Sequence, residues 1–118
     1  MRACAALSVP IESVSIWADD ISFTIDELEK MNSDNGLFAG RLDIGHVGVI
    51  GHSMGGTASG QVCLSDERCK AGINMDGIQL GDMFDKNLRR PFMFMHHDNT
   101  GERNKMLNRI FFERSEGP

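Results

Sequence analysis

Val47-Gly48-Val49-Ile50-Gly51-His52-Ser53-Met54-Gly55-Gly56 runs from an apolar stretch into a GxSxG pattern, and Thr57 to Val62 continues it in small residues. The order predicts a strand, a tight turn and a helix. In such a turn the serine sits on strained backbone, and the glycines two before and two after it let the two chain segments pass closely. Its hydroxyl is then raised at the carboxyl end of a strand and the amino end of a helix. Both placements suit a nucleophile whose attack creates a negative oxygen nearby. Ser53 is therefore the candidate nucleophile. The backbone N–H of Met54 is the candidate oxyanion donor, since in an elbow of this kind the residue after the serine supplies one. His52 fills the variable position and is expected to give packing support rather than to act as base.

Working outward, Val47 to Ile50 is apolar throughout and is expected to be a strand buried on both faces. Helix is predicted from about Ser53 to Leu64, closed by Ser65-Asp66-Glu67-Arg68. Ala71-Gly72-Ile73-Asn74-Met75 returns as a second strand, so strand, helix and strand form the unit expected of a parallel sheet. Pro91-Phe92-Met93-Phe94-Met95 predicts a third strand, with proline at the first position, where it is tolerated. Upstream, Val14, Trp17, Ile21, Ile25, Leu28 and Met31 recur at three- and four-residue steps and predict an amphipathic helix from Pro10 to Met31. Asp19, Asp20, Asp26, Glu27 and Glu29 fall mainly on its solvated faces. Leu37 to Gly45 is expected to be irregular, Gly77 to Lys86 a loop or short turn, and Asn104 to Phe112 a last helix. The whole is an α/β arrangement of about three parallel strands flanked by helices.

With 118 residues there is room for one domain at most. A net charge of -5 with scattered basic residues argues against nucleic acid or an anionic membrane as partner, because phosphate binding needs clustered Lys and Arg. No apolar run approaches the roughly 20 residues of a membrane span. The three cysteines, Cys4, Cys63 and Cys69, fit no zinc spacing, so they offer no metal site; no cofactor is expected. Cys63 and Cys69 lie six apart, between a helix end and a strand start, where a disulfide and two half-buried thiols are both open readings. The compartment stays open with them. A disulfide would point to a secreted or periplasmic protein.

A serine nucleophile needs a base, and the base needs a carboxylate to hold its tautomer. Asp76 and Asp98 both follow predicted strands, at the end of the sheet where ligand chemistry gathers. His96 and His97 follow the third strand, too close to its end to swing over Ser53. They satisfy the chain order serine, acid, histidine, yet are expected to serve neither as the base nor as a metal pair.

The segments Gly51 to Gly56, Asp66-Glu67-Arg68-Cys69-Lys70-Ala71-Gly72-Ile73-Asn74-Met75-Asp76-Gly77 and Pro91-Phe92-Met93-Phe94 resemble the platelet-activating-factor acetylhydrolase family of α/β-hydrolases, serine esterases without a metal. Trp17-Ala18-Asp19-Asp20 to Leu28 is similar to the helix before the nucleophile strand there. The resemblance implies hydrolysis of a small or lipid-like ester with a short acyl group, and lipid degradation as its setting. It favours Asp76, 23 residues after Ser53, over Asp98 as the acid. In that family a further strand and the histidine-bearing loop follow a stretch similar to Asn108-Arg109-Ile110-Phe111-Phe112-Glu113-Arg114, and the loop supplying the second oxyanion donor precedes the part matched here. The resemblance thus implies that residues 1–118 are one incomplete domain holding nucleophile and acid without the base. An open strand edge in such a piece invites self-association.

Overall fold

The structure, a computed structural model, describes residues 11–82 and 85–116. Helix α1 spans Ile11–Ser33, a short 3-10 turn Ile44–His46 leads into strand β1 at Val47–His52, and helix α2 follows at Met54–Ser65. Strand β2 is Cys69–Met75, β3 is Phe92–Met95 and helix α3 is Glu102–Glu113. The three strands lie parallel in the order β1-β2-β3, with Ile50 opposite Ile73 and Ile73 opposite Met93. Every element expected from the sequence is present, with ends moved by one or two residues; Pro10 lies outside the described residues.

Helix α2 is buried along Gly56 to Cys63 because β1, β2 and α1 all pack on it. A helix so enclosed carries mainly small or apolar side chains, as Thr57-Ala58-Ser59-Gly60 shows, and its buried Gln61 is hydrogen-bonded to Asp82. Where Gly72 would carry a Cβ, Phe92 lies at 2.4 Å and the Cys63 sulfur at 2.8 Å, so the β2 backbone approaches α2 closely. Phe111 of α3 meets Phe92 and Phe94 edge-on, at ring separations of 5.4 and 5.5 Å. These residues join Ala18, Val62, Cys69 and Leu88 in one core on one side of the sheet.

The other side corrects the expectation for β1. Its burial alternates, and Ile50 is 60% exposed, with Met93 53% and Met95 49% exposed beside it. Among the described residues nothing covers that face, so β1 is covered on one side only. The buried stripe of α1 also differs from the expected one. Val14, Ala18 and Ile25 are inside, while Trp17 and Met31 stand at the margin, 38% and 43% exposed. Contact with the narrow, small-residue surface of α2 selects Ala18 over its bulky neighbour.

Two links fasten α1, α2 and β2. Cys63 and Cys69 form a disulfide with Cα atoms 5.0 Å apart, joining the last turn of α2 to the first residue of β2. A loop this short contributes about 2 kcal/mol in the chain-entropy account. Arg68 grips Asp66 through two bonds, Nε to Oδ1 at 3.0 Å and Nη2 to Oδ2 at 2.7 Å, and reaches α1 at Asp26 (2.6 Å) and Glu29 (3.3 Å). The acidic flank of α1 is thus partly an anchor rather than only a solvated face.

Bonds from Arg68 hold the Asp66 carboxyl down to about 2. Because the folded value lies below the unfolded one, near 4, the stabilisation is complete above about pH 4 and is lost as pH falls toward 2. Asp66→Asn is expected to lower stability at pH 7 by about 1 kcal/mol, the exposed part of the network being screened. The deficit should vanish near pH 2. Urea unfolding at several pH values checks this, and an unchanged deficit at pH 2 would remove Asp66 from the account.

Candidate functional site

Among the described residues, only two other than glycine have positive φ: Ser53 at 55° and Asp76 at 56°. Such backbone costs on the order of 1–3 kcal/mol per residue and persists only where neighbours enforce it. The two occupy equivalent places, directly after β1 and β2. Ser53 donates its N–H to Met75 O at 2.8 Å, and Asp76 donates its own to Met95 O at 2.7 Å. Each turn is therefore tied to the end of the next strand.

Glycine is required at Gly51 before the elbow and at Gly77 beneath it, whereas Gly55, expected to be needed as well, has open space where a Cβ would stand. A Cβ on Gly51 would lie 2.1 Å from the backbone carbon and oxygen of Gly55, and one on Gly77 would lie 2.2 Å from Ser53 O. Gly77 thus packs directly beneath the serine turn, which gives the Asp76-Gly77 pair a physical reason. Ser53 itself is exposed, and its carbonyl starts α2 by accepting from Gly56 and Thr57. As the first residue of α2, Met54 contributes an N–H without a partner inside the helix.

Asp76 has both carboxylate oxygens occupied. Thr100 Oγ1 donates to Oδ1 at 2.5 Å, and His97 Nε2 lies 3.0 Å from Oδ2. His97 Nδ1 accepts the Asn99 N–H at 3.0 Å, so the ring carries its proton on Nε2 and meets Asp76 as a neutral donor rather than as a full ion pair. The Thr100 hydroxyl is the main cause holding the Asp76 carboxyl below its usual range; burial opposes it and His97 adds to it.

Beneath the site runs a buried polar network. Asn74 Oδ1 accepts the Gly77 N–H at 2.8 Å, and Asn74 Nδ2 donates to Gln79 Oε1 at 3.2 Å. Asn108 of α3 accepts the Gln79 N–H at 2.7 Å and donates to Gly77 O at 2.8 Å. Those backbone partners fix the Asn108 amide, so its 3.0 Å contact with His96 Nε2 makes that nitrogen the acceptor. His96 is thereby turned toward α3, its ring parallel to Phe94.

The structure brings Ser53 and Asp76 to adjacent strand ends and leaves Asp98 exposed among none of these contacts. His52, expected as packing support, is exposed instead, since it shares the uncovered face with Ile50. His46 pairs with Asp43 at the opposite end of β1. Among the described residues no hydrogen bond joins any of these imidazoles to the Ser53 hydroxyl, and no group of His, Cys, Asp and Glu could hold a metal ion. No described helix is long and apolar enough to cross a membrane. Thr100 and the Asn74–Gln79–Asn108 network escaped the sequence reading. Asn74, a polar residue inside an apolar strand pattern, is the one signal that pointed toward them.

No known family model and no curated protein sequence matches this chain. Among solved structures it is similar to a ferulic acid esterase from Streptomyces cinnamoneus, with a TM-score of 0.74 and 24% identity over 95% of this chain. The match spans 32% of the esterase, so this chain has about a third of that protein's length. The parallel strands with their flanking helices are thus an α/β fold that an esterase also contains.

Proposed function

We propose that this chain carries the nucleophile and the acid of a serine-dependent carboxylic-ester hydrolase acting on short acyl groups, of the kind its resemblance to the platelet-activating-factor acetylhydrolase family suggests. The observation that carries the reading is the pair of strained residues, Ser53 and Asp76, held at neighbouring strand ends. The fold shared with a protein described as an esterase supports it. Ser53 Oγ attacks the ester carbonyl carbon and gives its proton to a base, while the Met54 N–H takes the developing oxyanion. Collapse expels the alcohol with that proton and leaves an acyl-serine, which water then hydrolyses. No cofactor enters these steps, and the substrate is a small or lipid-like ester.

The base, in this reading, is a histidine from polypeptide outside these 118 residues. Both ring nitrogens of His97 are engaged, and His96 faces α3. After α3 the chain returns to the start of β3, where the Glu116 N–H bonds to Leu88 O at 2.6 Å. The Cys63–Cys69 disulfide supports a secreted or periplasmic location. A second reading, a scaffold that docks or self-associates without turnover, is favoured by the bare face around Ile50 and Met93 and by the open outer edge of β1.

Acylation tests the first reading. With p-nitrophenyl acetate and free imidazole standing in for the base, mass spectrometry of peptide digests is expected to find the acetyl group on Ser53 and to find less of it there in Asp76→Asn. With imidazole present, labelling of Ser53 no greater than that of Ser13 or Ser15 on α1 would rule the ester reading out.

A further inference from the structure

The strongest unassigned feature beside the site is the loop between β3 and α3. We propose that Thr100 is a positioning residue for Asp76: its buried hydroxyl fixes the rotation of the carboxylate so that Oδ2 is presented to an imidazole N–H, a place that His97 Nε2 takes here. The proposal rests on the reading of Asp76 as the acid, but its test does not depend on turnover.

The Asp76 backbone is already fixed by its bond to Met95 O and by its φ of 56°, so the carboxylate retains only side-chain rotation. Rotation about the bond to a carboxylate is soft and roughly two-fold, so without a fixed partner both oxygens would sample both directions. Thr100 supplies that partner. It is 6% exposed, its N–H is bonded to His97 O at 3.0 Å, and its branched side chain is stiff at χ1. Its hydroxyl proton is committed to Asp76 Oδ1. The partner on the other oxygen is of a different kind. His97 has 56% of its side chain exposed and is held by one bond to Asp76 and one from Asn99. Water can replace it at little cost, whereas it cannot reach Oδ1 past the buried threonine. Asp76 therefore has a buried hydroxyl fixed on Oδ1, with the His97 backbone N–H also nearby, and one exchangeable imidazole position on Oδ2. A carboxylate that must hold the tautomer of a catalytic histidine needs that same division of its two oxygens.

Long-range proton–nitrogen spectra of the labelled chain read the His97 tautomer directly. In the wild type the ring is expected to carry its proton on Nε2. Thr100→Val, close in shape but without the hydroxyl, should leave the tautomer to the Asn99 bond but shift the His97 Nε2 nitrogen signal as its bond to Asp76 loosens, and Thr100→Ser should restore that signal, with thermal unfolding confirming that both variants fold. An unchanged His97 Nε2 signal in folded Thr100→Val would overturn the proposal. The wild type alone supplies a second reading: the Asp76 carboxyl carbon should titrate below the ordinary aspartate range, and a midpoint at or above that range would also overturn it, even were Thr100→Val unable to fold. A merely structural threonine would change the melting temperature without changing either signal. If Ser53 fails to acylate while these signals behave as stated, the esterase reading falls and the Thr100–Asp76 coupling stands. The opposite pattern removes Thr100 alone.

Discussion

Gly51→Ala is expected to cost at least about 3 kcal/mol and to leave much of the chain unfolded, whereas Gly55→Ala, four residues on, should be neutral or slightly stabilising. At Gly51 the new carbon would sit 2.1 Å from two backbone atoms of Gly55 and 2.7 Å from the Gly56 nitrogen. Those atoms belong to the first turn of α2, so no side-chain rotation relieves the clash, and α2 itself is wedged between the sheet and α1. Relief would require lifting the helix off β1 and opening the core at Val62. Gly55 has nothing within 4 Å of its would-be Cβ and its φ is not positive, so alanine there gains helix propensity worth about 0.5–1 kcal/mol. Urea unfolding midpoints of the two variants measure the contrast. Equal midpoints would mean that the turn does not bring β1 and α2 into contact as described.

That contrast also marks what could be seen in the sequence. The elbow was legible because its signals are local: an apolar strand, a serine flanked by glycines at fixed offsets, of which Gly51 is sterically required, and a run of small residues all lie within about twenty positions. The same holds for β2 and β3, each a short apolar run bounded by turn residues. Orientation was less legible. A spacing of three and four places both Trp17 and Ala18 near one face of α1, and only the small surface of α2 decides between them. The alternating burial of β1 was hidden because an apolar strand looks the same whether one face or both are covered. Least visible were contacts across long separations, such as Thr100 with Asp76, Asn108 with Gly77 and Arg68 with Asp26. Each depends on how loops return over the sheet, and a threonine, an asparagine or an arginine in a polar stretch carries no sign of its distant partner.

The 118-residue chain alone is expected to hydrolyse p-nitrophenyl acetate within about tenfold of its Ser53→Ala variant, although Ser53 and Asp76 are both in place. Removing one member of a serine triad typically costs several powers of ten in rate, because nucleophile, base and acid act as a unit. His97, the imidazole bonded to the acid here, has no nitrogen left for Ser53. Its Nε2 faces Asp76 and its Nδ1 is held by Asn99, so using it as base would break one bond or the other. Free imidazole should therefore add a rate that depends on Ser53 and Asp76, above the background seen with Ser53→Ala. His97→Ala should enlarge that added rate rather than abolish it, because Asp76 Oδ2 then has no resident imidazole to displace. Fast turnover by the chain alone, lost on His96→Ala or His97→Ala, would contradict this account and make one of those residues the base. The direction of the His97→Ala effect separates the two cases, since a base must lose activity when removed, while an occupant of the base's place must release it.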